Sequence, residues 1–402
     1  MPPLLTIAQA RAAVAAAVEP LPTDRVPVAD ALGRVLAEPV VAAHDVPPFA
    51  NAAMDGYAVH AGPRGRTLKV VGESRAGAPA PAATDLEDGE AIRISTGAAL
   101  PAGADAVLQV ERVSVDGDRV TLDDDVAPGR NVRLPGEDLH AGATVLGPGI
   151  RLGPAELGVA VTAGRGELEV GRRPRVTVVA TGDELVAPGA QLAPGQIHDS
   201  NAITLAALAR RAGAEVAPTG RAGDTREAVE ATLAAALDGA DVLVVSGGVS
   251  VGPHDHVKPA LQALGVEQRF WRVALRPGKP TWFGTRERRL VFGLPGNPVS
   301  SMVTFHLFAR PALLALQGAP YAPGPQRTAR LTEAVPRSPE RDEAVRVRLE
   351  VTEAGALTAT PTGPQGSHVL TSMLGADGLA LIEAGEGTVA AGTSVAVELL
   401  AP

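Results

Sequence analysis

From 175 to 318, short continuous apolar runs alternate with longer stretches whose apolar residues recur at helical spacing. The runs 176–180 and 241–245 have the length and unbroken apolarity of strands buried on both faces. Between them, 202–212 predicts a helix, with Asn201 as its N-cap and Gly213 as the glycine that ends it. Asp224 and Glu227 form a D-x-x-E capping box ahead of a helix through Leu237. A short helix runs from His256 to Leu264 and stops at Gly265. Strands are predicted near 267–274 and 289–293, and Pro298 opens a last helix through Leu316. This alternation predicts a parallel, doubly wound sheet. Phe270, Trp271, Trp282, Phe283, Phe292, Phe305 and Phe308 all fall here, which places the main core in this stretch.

The flanks keep a different rhythm. Thr6 opens an amphipathic N-terminal helix. Residues 46–137 hold short β-like runs punctuated by Gly, Pro and Asp, the pattern of a compact β-rich module. Residues 138–170 are glycine-rich with short apolar runs and read as a connector. Pro320, Pro323 and Pro325 mark a linker, and beyond it the alternating runs 344–351 and 393–400 predict a small β barrel or sandwich. The fold class is therefore multidomain, α/β plus β.

Composition narrows the function. The chain has 402 residues, 45% hydrophobic, enough for several cores. It has no cysteine, which excludes disulfides, thiolate metal sites and cysteine nucleophiles. A net charge of -9, with no Lys or Arg after Arg348, speaks against a nucleic-acid partner. No apolar run approaches the ~20 residues of a membrane span, and the N-terminus lacks a basic leader, so a cytoplasmic protein is expected. Lys69, Lys258 and Lys279 are the only lysines among 36 basic residues. Two of them adjoin glycine-rich segments, where a compact cation suits phosphate.

Candidate chemistry gathers at the ends of the predicted strands, where open α/β sheets bind ligands. After 241–245 come Ser246, Gly247, Gly248, Ser250, Gly252 and Asp255. Glycine-rich backbone there can converge its N–H groups on an anion. The same residues also suit a plain strand-to-helix turn. Asp183 and Glu184 follow the first strand, and Asp199-Ser200-Asn201 opens the next helix. Arg272, Arg276 and Lys279 surround a rigid Pro-Gly turn, while Pro295, Pro298 and Ser300 lie at the start of the last helix. Asp55 and Asp138 occupy turns in the flanking units, where a solvated loop explains them equally well. Acids here can hold Mg²⁺, and the cations can hold phosphate and oxyanions. No HExxH and no Walker A sequence appears.

Eight segments occur in a characteristic order: PFANAAMDGYAV, STGAALPAGADAV, GRNVRLPGED, VVATGDEL, GQIHDSN, SGGVSVGPHD, RPGKP and GLPGNPVS. In these the chain resembles the MoeA family of molybdopterin molybdenumtransferases, related to the C-terminal domain of gephyrin. The resemblance implies insertion of molybdate, a substrate, into adenylylated molybdopterin, with Mg²⁺ as cofactor and release of AMP. It implies an elongated homodimer, with the molybdopterin adenylyltransferase and molybdoenzymes as further partners. It also implies four parts: a molybdopterin-binding α/β domain (1–23 and 171–321), a discontinuous connecting domain (24–45 and 138–170), the β-rich module (46–137) and the C-terminal barrel (322–402). Carried over by motif, the catalytic set is Asp55, Asp138, Glu184, Asp255, Arg272, Arg276 and Lys279. Ser246, Gly247, Gly248, Gly252, Pro295 and Pro298 bind substrate, Ser250 and Ser300 join them as oxyanion donors on their chemistry rather than on the resemblance, and Glu184, Asp224 and Asp255 hold the metal. The cleft would lie between the α/β domain of one subunit and the β-rich module of the other, which brings in Asp55. Arg272 and Arg276 depart from the lysine of many relatives, which keeps the charge and changes the donor geometry. The alternatives are a molybdopterin adenylyltransferase, or a non-catalytic carrier or scaffold.

Overall fold

A computed structural model describes residues 4–78, 85–250 and 255–400. Its largest sheet runs Glu215–Val216, Arg175–Thr181, Val242–Ser246, Arg289–Leu294, Trp282–Arg286, Glu267–Trp271, with Gly220–Ala222 also paired to Arg175–Thr181. The first four of these strands run parallel, and Arg175–Thr181, Val242–Ser246 and Arg289–Leu294 are central, as expected for runs buried on both faces. Alternation sorts their side chains. Val176, Val178, Val242, Val244, Leu290 and Phe292 enter one core, whereas Val179, Leu243, Val245 and Val291 enter the other. The first core is covered by Ile7–Ala15, Asn201–Arg211 and the helix from Pro298; the second by Arg226–Leu237 and Val257–Ala263. Phe283 stacks at 4.9 Å from Phe292 and 5.6 Å from Phe270.

Several sequence expectations need correction. The sheet is mixed, because Trp282–Arg286 runs antiparallel to both Arg289–Leu294 and Glu267–Trp271. The sequence reading missed this strand, and the predicted strand 267–274 stops at Trp271, with Arg272 in a left-handed conformation (φ 75°). Asn201 is the first residue of its helix rather than the cap; Asp199 accepts the N–H of Ala202 instead. Thr225, not Asp224, caps Arg226–Leu237 by accepting from Ala228. Both displaced residues become available for other bonds. The helix Pro298–Leu316 is long and apolar enough to cross a membrane, yet 83% of it is buried, which makes it a core helix. It carries a π-helical stretch, Phe305–Ala309, just before Pro311.

The other parts have their own cores. Thr23–Pro27 pairs with Glu167–Gly171 and Val40–Val41 with Thr144–Leu146, around Val28, Leu36, Leu152 and Ala160. The helix Pro154–Thr162 in this connector was not anticipated. Among the described residues between Gly56 and Leu122, six strands form one sheet with a core on each face. The C-terminal strands close on themselves: Asp342–Val351, Leu357–Pro361, Gln326–Leu331, Ser394–Leu399, Gly378–Ile382 and back to Asp342–Val351. That is a five-stranded barrel. A short strand of the α/β part, Leu275–Arg276, extends it by pairing in parallel with Asp342–Val351.

Candidate functional site

Parallel pairing aligns the carboxyl ends of four strands, setting Thr181 beside Ala222, Ala180 beside Ser246, and Ser246 beside Leu294. The loops that follow therefore meet along one edge. Gly247 donates its N–H to Leu294 O at 3.0 Å. Asn201 Nδ2 bridges Ser246 Oγ (2.9 Å) and Gly296 O (2.6 Å), tying the glycine turn to the Pro295–Pro298 loop. Asp183 and Asp224 exchange bonds, each carboxylate accepting the other's main-chain N–H at 3.0 and 3.1 Å. The side-chain work assigned to Asn201 and Asp224 in capping is thus spent joining loops.

Two consecutive glycines shape the turn. Gly247 and Gly248 have φ of 94° and 65°, a region costly for other residues. A Cβ on Gly247 would lie 2.7 Å from Thr181 Oγ1, and one on Gly248 2.5 Å from Val257 Cγ2. Among the described residues, no protein acceptor takes the N–H of Gly248, Val249 or Ser250. The turn is thus compatible with an anion. Gly252 lies outside the described residues, so the turn is described only as far as Ser250.

Two cavities adjoin these loops. One, of about 910 Å³, is lined by Ser250, Asp255, Lys258, Gln262, Gln268 and Trp282. The other, of about 380 Å³, lies where the α/β part meets the barrel. Arg276, Lys279, Pro295 and buried Ser300 line it from one side, and Arg341, Ser367 and His368 from the other. Asn297 Nδ2 donates to Ser367 Oγ at 2.9 Å, and Val299 N–H to Ser367 O at 3.1 Å, so the two walls are bonded together. Arg276 is not a free cation, since it pairs with Glu343 of the barrel at 3.0 Å. Behind the barrel wall, buried Arg346 bonds Ser372 Oγ and the carbonyls of Pro364 and Gly366. Burial draws its pKa down to about 10, against the opposing pull of Glu343.

Asp55 and Asp138 sit elsewhere in the chain. Thr96 holds the Asp55 carboxylate by its main-chain N–H (2.7 Å) and its hydroxyl (3.0 Å). These bonds, the main-chain one first, keep the acid below the usual aspartate range while it stays exposed. Asp55 holds its place because Gly56 packs flat on the next strand; a Cβ there would lie 2.0 Å from Leu108 O. Asp138 donates its N–H to Val46 O (2.9 Å) at the neck of the β-rich module. Among the described residues no hydrogen bond joins either acid to the four loops. The sequence reading noted Thr96 and Asn201 without giving them a site role, and missed Arg341, Ser367 and His368. Thr96 and Asn201 lie inside the quoted motifs, whereas the barrel residues reach the site only through the closed fold.

No group of three or more His, Cys, Asp or Glu is arranged to hold a metal among the described residues. Mg²⁺ does not require one, because it takes one or two carboxylates and completes its octahedron with water and phosphate oxygens. Glu184, Asp224 and Asp255 offer oxygen donors alone, the chemistry that ion prefers.

A mixed α/β sheet with a glycine turn at the carboxyl ends of its strands, sharing a cation-lined cavity with a closed barrel, defines a multidomain α/β-plus-barrel protein with loops suited to an anion. Comparison with known families makes this specific. The family described as "MoeA N-terminal region (domain I and II)" matches residues 5–164. "Probable molybdopterin binding domain" matches 177–315, and "MoeA C-terminal region (domain IV)" matches 328–400. A molybdopterin molybdenumtransferase of Haemophilus influenzae is 36% identical over 98% of both chains. Molybdopterin molybdenumtransferase 2 of Mycobacterium tuberculosis is 40% identical over 92% of this chain and 94% of its own. Among solved structures, a molybdopterin biosynthesis moeA protein of Pyrococcus horikoshii is 33% identical with a TM-score of 0.80, covering 98% of this chain and 99% of the other. The chain belongs to the MoeA family of molybdopterin molybdenumtransferases.

Proposed function

We propose that this chain inserts molybdate into adenylylated molybdopterin and releases AMP in the biosynthesis of molybdenum cofactor. The observation that carries this reading is the cavity shared by the α/β part and the barrel, with Arg276, Lys279 and Arg341 beside the hydroxyls of Ser300 and Ser367. Lys279 and Arg341, with Arg276 held in its pair to Glu343, form a local basic pocket suited to a tetrahedral oxyanion in a protein of net charge -9. The adenylyltransferase alternative is disfavoured, because the relatives similar over 92–98% of this chain are named molybdopterin molybdenumtransferases.

The glycine turn takes the phosphate of the pterin substrate on its N–H groups. Lys279 and Arg341 hold molybdate, and Arg276 contributes within its pair to Glu343. Asp255, with Glu184 or Asp224, would hold Mg²⁺, which when bound neutralises charge on the phosphoanhydride. A molybdate oxygen attacks the pterin-side phosphorus as the bridging P–O bond breaks and AMP leaves, and the dithiolene sulfurs then displace oxygen, which departs as water, from molybdenum. Catalysis is positioning and electrostatic stabilisation.

Asp55, on the β-rich module, joins the site of a second copy of the chain. Phe49, Met54 and Leu134, with exposures of 48%, 40% and 61%, support a partner surface near it. The reading includes a homodimer, action in the cytoplasm, and domain limits of 1–23 with 171–321, 24–45 with 138–170, 46–137 and 322–402. The test is AMP release by the full chain from adenylylated molybdopterin, with and without molybdate. Release that needs molybdate supports the reading. Consumption of ATP with molybdopterin indicates the adenylyltransferase, and binding without turnover indicates a carrier.

A further inference from the structure

We propose that Trp271 and Lys258 are positioning residues for the glycine turn, fixing the peptide planes that aim its N–H groups at the substrate phosphate. The proposal rests on the reading of that turn as the phosphate cradle. Trp271 Nε1 donates to Val249 O at 3.0 Å, and Lys258 Nζ donates to Ser250 O at 2.5 Å. Two successive carbonyls of the turn are therefore held by side chains from outside it.

A trans peptide is planar, and its C=O and N–H point in opposite directions. Holding the Val249 carbonyl toward Trp271 therefore turns the N–H of Ser250 away from it. Lys258 holds the Ser250 carbonyl, which fixes that residue from its other side. Two glycines at φ of 94° and 65° give the preceding backbone the freedom to turn but nothing to stop it at one orientation. The indole and the ammonium supply the stop. This agrees with the N–H groups of Gly248, Val249 and Ser250, which have no protein acceptor among the described residues while Gly247 is bonded to Leu294.

The two anchors hold each other as well. Lys258 Nζ stands 3.5 Å from the centroid of the Trp271 ring, and Arg272 Cζ stands 4.1 Å from it. Cations against an indole face are attracted by its quadrupole. Neither anchor can swing away without giving up that contact. Burial also draws Lys258 below the usual lysine range, opposed by the Asp255 charge.

The experiment uses the full chain. Binding of adenylylated molybdopterin is measured by equilibrium dialysis without molybdate, and kcat and KM are measured with it. Trp271→Phe keeps a ring for the cations and deletes the N–H donor. Lys258→Met deletes the other donor, and Lys258→Arg restores a donor and a cation. Trp271→Phe and Lys258→Met should each raise Kd about tenfold, the upper range for one hydrogen bond. KM should follow, kcat should stay within about twofold, and Lys258→Arg should recover most of the loss. Unchanged Kd in folded Trp271→Phe and Lys258→Met overturns the proposal, as does a fall confined to kcat. A wild-type chain that binds the pterin but releases no AMP removes the enzymatic reading and leaves the Kd comparison decisive. A wild-type chain that does not bind it removes both.

Discussion

Arg11 and Glu398 lie 387 residues apart in sequence and meet in a two-pronged ion pair at 2.7 and 2.9 Å. Pro311 explains part of the arrangement. It has no N–H for the carbonyl of Leu307, one helical turn earlier, and Arg11 Nε takes that carbonyl at 3.1 Å. Glu398 also accepts the Gly324 N–H at 3.0 Å and stands 3.2 Å from His306 Nε2. One buried cluster thus fastens the N-terminal helix, the last α/β helix, the linker and the barrel strand Ser394–Leu399.

Glu398→Gln should destabilise the protein strongly. The two side chains are 12% and 0% exposed, so the substitution leaves a buried guanidinium short of its counter-charge. Losses of about 3–5 kcal/mol are typical when one partner of a buried pair is removed. Urea unfolding measures the loss, and the double variant with Arg11→Met should recover part of it. A loss below about 1 kcal/mol, within the range of surface pairs, would show that the pair fastens nothing.

The same carboxylate sets an acid limit. Burial pushes the Glu398 pKa up, but His306 and Arg11 more than reverse this and hold it below 4.5. A group whose folded pKa lies below its unfolded value stabilises fully above the unfolded value. It loses that contribution as pH falls through the folded one. The stability difference between wild type and Glu398→Gln should therefore be flat above about pH 5 and shrink below it. A difference that stays constant down to pH 3 contradicts this account.

The parallel strands and the glycine turn were legible because each is written in local rhythm and spacing, whereas the C-terminal rhythm left a barrel and a sandwich both open. Trp282–Arg286 was not legible, since Pro280 and the short run after it resemble a loop until Arg289–Leu294 lies beside them. Asn201 and Asp224 were misread as caps because Asp, Asn and Thr compete for that role. Neighbouring Asp199 and Thr225 won, which left Asn201 and Asp224 to tie loops together. Ser367 and His368 carry no local signal. They enter the site because the barrel closes and Arg346 holds their loop from behind.

Asp55 should act as a charged group whose orientation is set by Thr96. Asp55→Asn should reduce molybdate-dependent AMP release about a hundredfold, the scale of losing one aligned electrostatic group. Thr96→Val removes the hydroxyl bond and keeps the main-chain bond, which contributes more to holding the acid ionised. Its effect should be smaller, within about tenfold. Both residues lie at the surface of their module, so far-ultraviolet circular dichroism should not change. An equal loss in the two variants would mean that orientation, rather than charge, is what Asp55 supplies.

Asp255→Asn should separate chemistry from binding. The side chain lines the 910 Å³ cavity and raises the pKa of Lys258, so its charge reaches the turn. Removing that charge should lower AMP release by about a hundredfold or more while changing pterin affinity by only a few fold. Raised Mg²⁺ should recover part of the rate. Near-normal turnover would remove Asp255 from any metal-organising role.

Gly247→Ala should abolish substrate binding at modest cost to the fold. Its φ of 94° is unfavourable for alanine, and the new Cβ would meet Thr181 Oγ1 at 2.7 Å and Thr181 O at 2.9 Å. The second contact is with backbone of the adjacent strand, so the turn itself must move, and its N–H groups move with it. A shift near 1 Å at a binding loop can cost about a hundredfold. Gly239→Ala is the control. Its φ of 73° is equally unfavourable, but nothing lies within 4 Å of the added carbon, and the residue follows the helix Arg226–Leu237 away from the loops. Both variants should lose about 1–2 kcal/mol from backbone strain, yet only Gly247→Ala should lose affinity for adenylylated molybdopterin. Equal affinity in the two, measured by equilibrium dialysis, would mean that the turn's conformation is not what holds the phosphate.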